Sequence, residues 1–145
     1  MSDIKLTEFI RESNRIEGIL REPQLYEIRA HQELLRLRAV PVAALCSFVG
    51  TIAPGHRLRD TAGLNVRVGN HIAPAGGPNI RVRLEQLLLD SGDPWQQHID
   101  YETLHPFTDG NGRSGRALWL WRMGGSAPIG FLHQFYYQTL ERIGR

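Results

Sequence analysis

The sequence predicts a single, mainly α-helical domain that carries one small β-hairpin. A length of 145 residues suits one domain. Apolar side chains recur at helical spacing over most of the chain. The stretch from Gly50 to Pro78 holds six glycines and three prolines, which excludes a long helix there. Hydrophobic residues make up 41% of the chain and charged residues 22%, so a folded core is expected rather than disorder.

Three helices are predicted before the glycine-rich stretch. Their apolar side chains follow i, i+3, i+4, i+7 spacing, and Gly18 and Pro23 separate the first helix from the second. The predicted ranges are about 6–20, about 23–38 and 41–49.

The middle of the chain is predicted to form the hairpin, a flap over about 64–82. Residues 65–72 alternate apolar and polar side chains, which is typical of a strand. Residues 73–78 have the composition of a turn, and 79–82 are predicted to be the returning strand.

Further helices are predicted after the flap. Glycine, serine and proline interrupt the helical pattern at 91–94 and 124–128. The predicted ranges are about 82–89, 94–104, 114–123 and 129–142. The third of these is apolar nearly all round, which predicts either a buried central helix or a surface that binds a partner. Its large apolar side chains are Leu118, Trp119, Leu120 and Trp121.

Charge and cysteine content exclude several classes of protein. The formal net charge is only +2, so a nucleic-acid partner is not expected. A single cysteine, Cys46, excludes an internal disulfide and a cysteine-rich zinc site. The N-terminus has no signal-peptide pattern and the chain has no apolar run long enough for a membrane span, so we expect a cytoplasmic protein, unless it is delivered to another cell. Sixteen of the 17 cations are arginine, which suits bidentate contact with phosphate or carboxylate.

The segment 104–116 carries the residues suited to chemistry. Pro106 disfavours helical geometry before it, so the preceding helix should end near His105 and project the imidazole into a loop. Phe107 is a large apolar side chain in a polar loop and is predicted to anchor that loop in the core. The glycines at 110 and 112 allow successive N–H groups to converge on an anion. A helix from about Ser114 adds its positive end.

Two arginines follow in the same segment. Arg113 and Arg116 are spaced to share a helix face, where cations oppose the helix dipole unless a multiply charged anion lies between them. Asp109 adds a hard oxygen ligand, and Mg²⁺ typically binds one or two carboxylates together with phosphate oxygens. The residues therefore predict a site for a nucleoside polyphosphate with Mg²⁺ beside a histidine base.

Three other interpretations of this segment are weaker. The glycine spacing over 110–115 matches a dinucleotide fingerprint, but the preceding strand and the acid about 20 residues on are absent. A calcium loop starting at Asp109 lacks the required glycine and final glutamate. A zinc site on one helix face lacks the HExxH pattern. Its ligands would be His98, Glu102 and His105.

Residues 105–116 read His-Pro-Phe-Thr-Asp-Gly-Asn-Gly-Arg-Ser-Gly-Arg and match the Fic motif HxFx(D/E)GNGRxxR at every defined position. The chain therefore resembles a minimal Fic domain. Fic proteins are mostly helical and usually transfer AMP from ATP to a Tyr, Thr or Ser hydroxyl of a target protein, releasing pyrophosphate. The resemblance implies ATP as donor, Mg²⁺ as cofactor and these roles: His105 as general base; Asp109 as Mg²⁺ ligand; Gly110, Asn111 and Gly112 as the anion-binding loop; Arg113 and Arg116 as phosphate contacts; and Phe107 as the structural anchor.

A second stretch, Ser13-Asn14-Arg15-Ile16-Glu17-Gly18, resembles the family's inhibitory motif (S/T)xxxE(G/N). In Fic proteins that carry this motif, its glutamate pairs with the second motif arginine, here Arg116, and the γ-phosphate cannot bind productively. Ser13 and Glu17 are four residues apart and share a helix face. The resemblance implies an enzyme inhibited by its own N-terminal helix.

The resemblance also implies that the flap docks the target backbone by strand addition, with Val68 and Ile72 as docking residues. Modification of a protein target, self-modification and self-association into a homo-oligomer are the implied interactions. Two alternatives stay open: a transferase of the same fold with another donor (phosphate, UMP or phosphocholine), and a nucleotide-binding module without turnover. The intact Gly-Asn-Gly sequence and His105 favour AMP transfer over both.

Overall fold

The computed structural model describes residues 3–126, and the predicted helix over 129–142 lies outside them. The elements are α1 (Asp3–Ile16), α2 (Leu25–Leu35), α3 (Val42–Ile52), β1 (Arg67–Val68), β2 (His71–Ile72), α4 (Pro78–Leu89), α5 (Pro94–Leu104) and α6 (Asn111–Arg122). This confirms the predicted class, mainly helical with one small hairpin. None of the helices in this part of the chain is long and apolar enough to cross a membrane.

The last of these helices, α6, lies at the centre of the bundle and contacts α1, α2, α3 and α5. Its apolar residues 118–120 are buried, so the prediction of a central helix is confirmed. One core cluster joins α2, α3, α4, α5 and α6. A second packs Phe9 and Ile10 of α1 against Trp119 and Leu120 of α6. Burial of each such side chain contributes about 1.5–3 kcal/mol, so α1 is an integral part of the fold.

Helix boundaries follow local capping signals. The helix α5 matches its predicted range because Asp93 accepts a hydrogen bond from the backbone N–H of Gln96 at 2.9 Å and Pro94 occupies the first turn. The helix α1 ends at Ile16, earlier than predicted, and Gly18 follows with a φ of 77°. Only glycine adopts such a backbone readily, so the helix cannot continue through it.

The hairpin is shorter than predicted. Strand β1 pairs antiparallel with β2, so both strands lie inside the 65–72 stretch that was expected to be one strand. The predicted returning strand over 79–82 is wrong, since these residues belong to α4. Pro78 has the φ of a first helical residue and donates no hydrogen bond, which favours a helix start at this position. Four alternating residues were too few to outweigh this signal.

Candidate functional site

The loop between α5 and α6 is held in shape from both sides. Phe107 forms an isolated antiparallel bridge with Leu58, and its side chain is fully buried. The side-chain amide of Asn111 closes the loop: its Oδ1 accepts a hydrogen bond from the Phe107 N–H and its Nδ2 donates to the Phe107 carbonyl, both at 2.8 Å. Asn111 therefore shapes the loop through its side chain and contributes its backbone to the helix start.

His105 follows the last residue of α5 in a left-handed conformation with a φ of 51°. It is the one non-glycine residue with positive φ between residues 3 and 126, and this conformation is unfavourable for a residue with a Cβ. The imidazole Nδ1 lies 3.0 Å from the carbonyl oxygen of Glu102. Because a carbonyl only accepts, Nδ1 carries the hydrogen and Nε2 is the basic nitrogen of the neutral ring.

A cavity of about 320 Å³ lies between the flap, the end of α1 and the predicted catalytic loop, which is the segment 105–110 between α5 and α6. It brings together the predicted base, the predicted metal ligand, three residues of the flap and the glutamate of the predicted inhibitory motif. The predicted site residues that line it are Glu17, Val68, His105, Asp109, Asn111 and Gly112. Ile72, on the second flap strand, does not line the cavity and is 72% exposed.

Asp109 presents a carboxylate at the mouth of this cavity. Its side chain is 62% exposed, and its Oδ2 lies 3.7 Å from Nε2 of His56. Its Oδ1 accepts the N–H of Gly110 at 2.7 Å. Nowhere in residues 3–126 do three or more histidine, cysteine or acidic side chains form a metal-binding group. One carboxylate is sufficient for Mg²⁺ that arrives with phosphate oxygens, so the donor set fits a nucleotide-borne ion.

The zinc site considered from the sequence is wrong for the described residues. His98 is buried, its Nδ1 lies 3.2 Å from the carbonyl of Gly115, and its ring stacks on Trp95 with 5.2 Å between ring centroids. His98 therefore contributes to the packing of α5 against α6. His98 and Glu102 share one face of α5 because that face is buried in the core.

The helix α6 begins at Asn111, three residues before the predicted start at Ser114. Gly110 precedes it with a φ of 79°, which needs glycine. The predicted anion-binding loop is thus the first turn of a helix, whose backbone N–H groups have no partner inside the helix. Gly112 leaves room for an approaching group: a Cβ there would lie 2.1 Å from Oε1 of Glu17. The Glu17 carboxylate therefore lies against the positive end of α6.

Arg116 is fully buried and bonded to the end of α1. Its Nε donates to Oγ of Ser13 at 2.7 Å, and its Nη2 donates to the Ser13 carbonyl at 2.9 Å and to Oε1 of Glu17 at 2.8 Å. The ion pair lies on a fully buried guanidinium, where charge-assisted bonds are stronger than at the surface. Both residues of the predicted inhibitory motif thus contact the second motif arginine.

Arg113 contacts a different helix. Its Nη1 donates to the carbonyl of Ile52 at 2.9 Å, at the C-terminal end of α3, where a cation is electrostatically favoured. Neither Arg113 nor Arg116 lines the cavity. The two guanidinium groups that were expected to face one anion therefore contact different segments of the chain, because helical spacing fixes where a long side chain starts and not where it ends.

Sequence reasoning missed two buried charged residues near the site, Arg59 and Glu27. Arg59 is fully buried behind the catalytic loop, and burial lowers the pKa of its guanidinium from the ordinary value. Glu27, at the start of α2, accepts a hydrogen bond from Nδ2 of Asn14 at 2.8 Å. For Arg59, the only signal in the sequence was the strong preference for arginine over lysine.

Fold and site together define a class: a helical domain in which a histidine and a helix N-terminus border one cavity beneath a β-hairpin. The model of the Fic/DOC family matches residues 55–122, a range that includes the hairpin, α4, α5, the catalytic loop and α6. This match covers 68 of the 145 residues and confirms the resemblance to a minimal Fic domain stated from the motif. Members of this family are typically transferases and act on protein targets.

Proposed function

We propose that this chain transfers AMP from ATP to a hydroxyl group of a target protein and that α1 inhibits the transfer. The observation that carries the proposal is the position of the Glu17 carboxylate, 2.8 Å from Nη2 of Arg116 and against Gly112. An anion already lies at the donors that the terminal phosphate of a nucleotide needs. Two anions compete for one guanidinium, so the carboxylate and the γ-phosphate exclude each other there.

In the proposed reaction His105 is the base. Its Nε2 takes the proton of the target hydroxyl, the hydroxyl oxygen bonds to the α-phosphorus, and the bond from that phosphorus to the bridging oxygen breaks. Pyrophosphate leaves with the electron pair of the broken bond. The Glu102 carbonyl, 3.0 Å from Nδ1, keeps the hydrogen on that nitrogen and stabilises the imidazolium that forms.

Nucleotide binding is assigned to the start of α6. Asp109 would hold Mg²⁺ on the phosphates, and this ion neutralises negative charge there. The anion-binding donors would be the backbone N–H groups of Asn111 and Gly112, joined by that of Gly110 once it gives up its hydrogen bond to Oδ1 of Asp109. Arg116 would bind the γ-phosphate once Glu17 has left it. Arg113 would reach a phosphate by exchanging its hydrogen bond to the Ile52 carbonyl. Placement and charge neutralisation then supply most of the rate.

Target binding is assigned to the flap. Val68 lines the cavity, and Ile72 is exposed one strand away. The ring of His71 ties the flap to α5, since its Nε2 lies 2.8 Å from the carbonyl of Thr103. A target strand added to this hairpin would lie beside the cavity and bring its Tyr, Thr or Ser hydroxyl to His105.

The test is labelling with ATP that carries the radioactive phosphorus at the α position or, in parallel, at the γ position. Wild type, Glu17→Gly and the double variant Glu17→Gly/His105→Ala are incubated with whole lysate and alone, so that target and self-modification are both seen. We expect label from the α position only, much stronger in Glu17→Gly than in wild type and lost in the double variant.

The matched control is Glu8→Gln, which removes a carboxylate from the exposed face of α1 and should label like wild type. Label from the γ position would assign phosphate transfer instead. No label in any variant would contradict transfer from ATP and favour either a donor of UMP or phosphocholine or a nucleotide-binding module.

A further inference from the structure

We propose that Arg59 is a positioning residue, which sets the orientation of the His105 imidazole and joins the flap to the catalytic loop. The importance of that imidazole rests on the proposed function; the positioning itself rests on hydrogen bonds that are independent of any reaction.

Three consecutive carbonyls converge on Arg59. Its Nη2 donates to the carbonyl of Leu104 at 2.8 Å and its Nε to the carbonyl of His105 at 2.6 Å. Its backbone N–H donates to the carbonyl of Pro106 at 2.9 Å. These are the last carbonyl of α5 and the two that follow it, which have no partner within the helix. Arg59 thus provides the hydrogen-bond donors for all three carbonyl groups of the turn in which His105 has its unfavourable φ.

The remaining bonds of Arg59 reach the two ends of the flap. Its Nη1 donates to the carbonyl of Leu64, before β1, at 3.0 Å and to that of Pro74, after β2, at 2.8 Å. Its own carbonyl accepts the N–H of Gly77 at 2.9 Å. A change in the side chain therefore affects the flap and the catalytic loop together.

This arrangement is costly, which argues that a specific geometry requires it. Arg59 is fully buried, and all four of its side-chain hydrogen bonds go to backbone carbonyls. A buried charge that is solvated only by dipoles has a large desolvation penalty. The carbonyls at the C-terminal end of α5 partly offset the penalty, because that end of a helix dipole attracts a cation.

These hydrogen bonds depend on the planar, forked shape of the arginine guanidinium. Three nitrogens at fixed separation reach carbonyls of three chain segments, at 104–105, at Leu64 and at Pro74. A lysine ammonium at the same position retains the charge, but its single nitrogen cannot reach all three segments. Without the fork, the turn around His105 relaxes and the imidazole loses the register in which Nδ1 faces the Glu102 carbonyl.

The test reads the imidazole directly, by nitrogen NMR of protein labelled at histidine, in wild type, Arg59→Lys and Arg59→Met. The His105 signal is assigned by its loss in His105→Ala. We expect wild type to show the neutral ring as the single Nδ1–H form and both Arg59 variants to show a mixture of the two tautomers. In the Glu17→Gly background, Arg59→Lys should lower kcat about 100-fold, the typical effect of a misplaced catalytic group, with the KM for ATP within about threefold.

The control for general destabilisation is Leu45→Ala, a fully buried change in the middle of α3. It should lower the melting temperature and keep the single tautomer. The same mixture in Leu45→Ala, an unchanged tautomer in Arg59→Lys, or an Arg59→Lys chain that does not fold would each overturn the proposal. A changed tautomer with no AMP transfer by any variant would leave the positioning role intact and contradict the proposed function instead.

Discussion

Gly112 has no Cβ, and the Glu17 carboxylate occupies the space that a Cβ would fill. A Cβ there would lie 2.1 Å from Oε1 of Glu17 and 3.0 Å from Nη1 of Arg116. We expect Gly112→Ala to lower the melting temperature of the wild-type chain. In the Glu17→Gly background the main obstacle is gone, and the higher helix propensity of alanine should stabilise the chain by up to about 1 kcal/mol.

Thermal unfolding of the four chains in this cycle measures the coupling. Equal effects of Gly112→Ala in both backgrounds would show that Glu17 does not lie against α6 in solution.

His31 gives the fold a dependence on pH. It is buried in α2, where its Nδ1 donates to the carbonyl of Glu27 at 2.7 Å and its ring packs edge-on against Phe48. Burial lowers the pKa of His31 from 6.5 to about 4, and the charges of Arg116 and Arg113 act in the same direction. The unfolded chain therefore binds more protons than the folded chain between these values, and stability falls as pH drops through this window.

We expect His31 to contribute a loss of about 2 kcal/mol in the free energy of unfolding between about pH 7 and about pH 5. Urea denaturation of wild type and His31→Phe at both pH values checks this, because phenylalanine does not titrate. Identical pH slopes for the two chains would exclude His31 as the source.

For single residues, the sequence predicted chemical type better than direction. His105 and Asp109 line one cavity, as the motif suggested, because the bend at Pro106 and the helix that follows are local features. The direction of Arg113 was not predictable, since a carbonyl at the end of α3 sets it. The pairing of Arg116 with Glu17 was implied by the family resemblance alone. Asn111 was expected at an anion, and its side chain instead closes the loop around Phe107.

Among the elements, α1 is held to α2 by a buried hydrogen bond from a residue within the predicted inhibitory motif. Nδ2 of Asn14 donates to Oε2 of Glu27 at 2.8 Å, and that carboxylate also accepts from Arg21 and from the N–H of Gln24. Asn14→Ala leaves a buried carboxylate oxygen without this donor, which costs about 1–3 kcal/mol. We expect AMP transfer to rise above wild type and to stay below Glu17→Gly, with faster hydrogen exchange at the end of α1.

The control is Arg11→Gln, which breaks the 2.7 Å pair with Glu22 at the surface of the same helix. An exposed pair of this kind contributes little, so transfer should not change. If both variants activated equally, the contact between Asn14 and Glu27 would have no special part in inhibition.

The flap supplies a prediction about substrate rather than stability. Ile72 is 72% exposed on β2 and does not line the cavity. We expect Ile72→Asp in the Glu17→Gly background to reduce labelling of the target about tenfold or more, because a charge replaces an apolar contact with the docked strand. Binding of ATP, followed by calorimetry, should not change. Weaker ATP binding together with normal target labelling would assign Ile72 to the nucleotide.

Element boundaries were predictable where capping signals are strong and local. The helix α5, with Asp93 and Pro94 at its start, was placed to the residue. The hairpin was not, because two-residue strands give almost no periodicity and their pairing depends on contacts with α5. The start of α6 was missed because Gly110 suggested a continuing loop, whereas its positive φ precedes the first helical turn.

For the molecule as a whole, helical class and the catalytic motif could be predicted from the sequence. The contact between the two ends of the described chain could not be predicted from local sequence patterns. Ser13 and Arg116 are 103 residues apart, and no local pattern links them; only the family resemblance did so. Long-range contacts of this kind depend on how helices pack around α6, which periodicity does not encode.

The packing of Phe9 and Ile10 against Trp119 and Leu120 has a consequence for the newly synthesised chain. Glu17, whose carboxylate contacts Arg116, directly follows the last residue of the helix that completes this part of the core. Under the proposed function, the transfer activity of a newly synthesised chain is inhibited in the same cooperative step in which the chain folds. No active folded species precedes the inhibited one. Activation then requires the C-terminal end of α1 to loosen while the rest of that helix stays packed against α6.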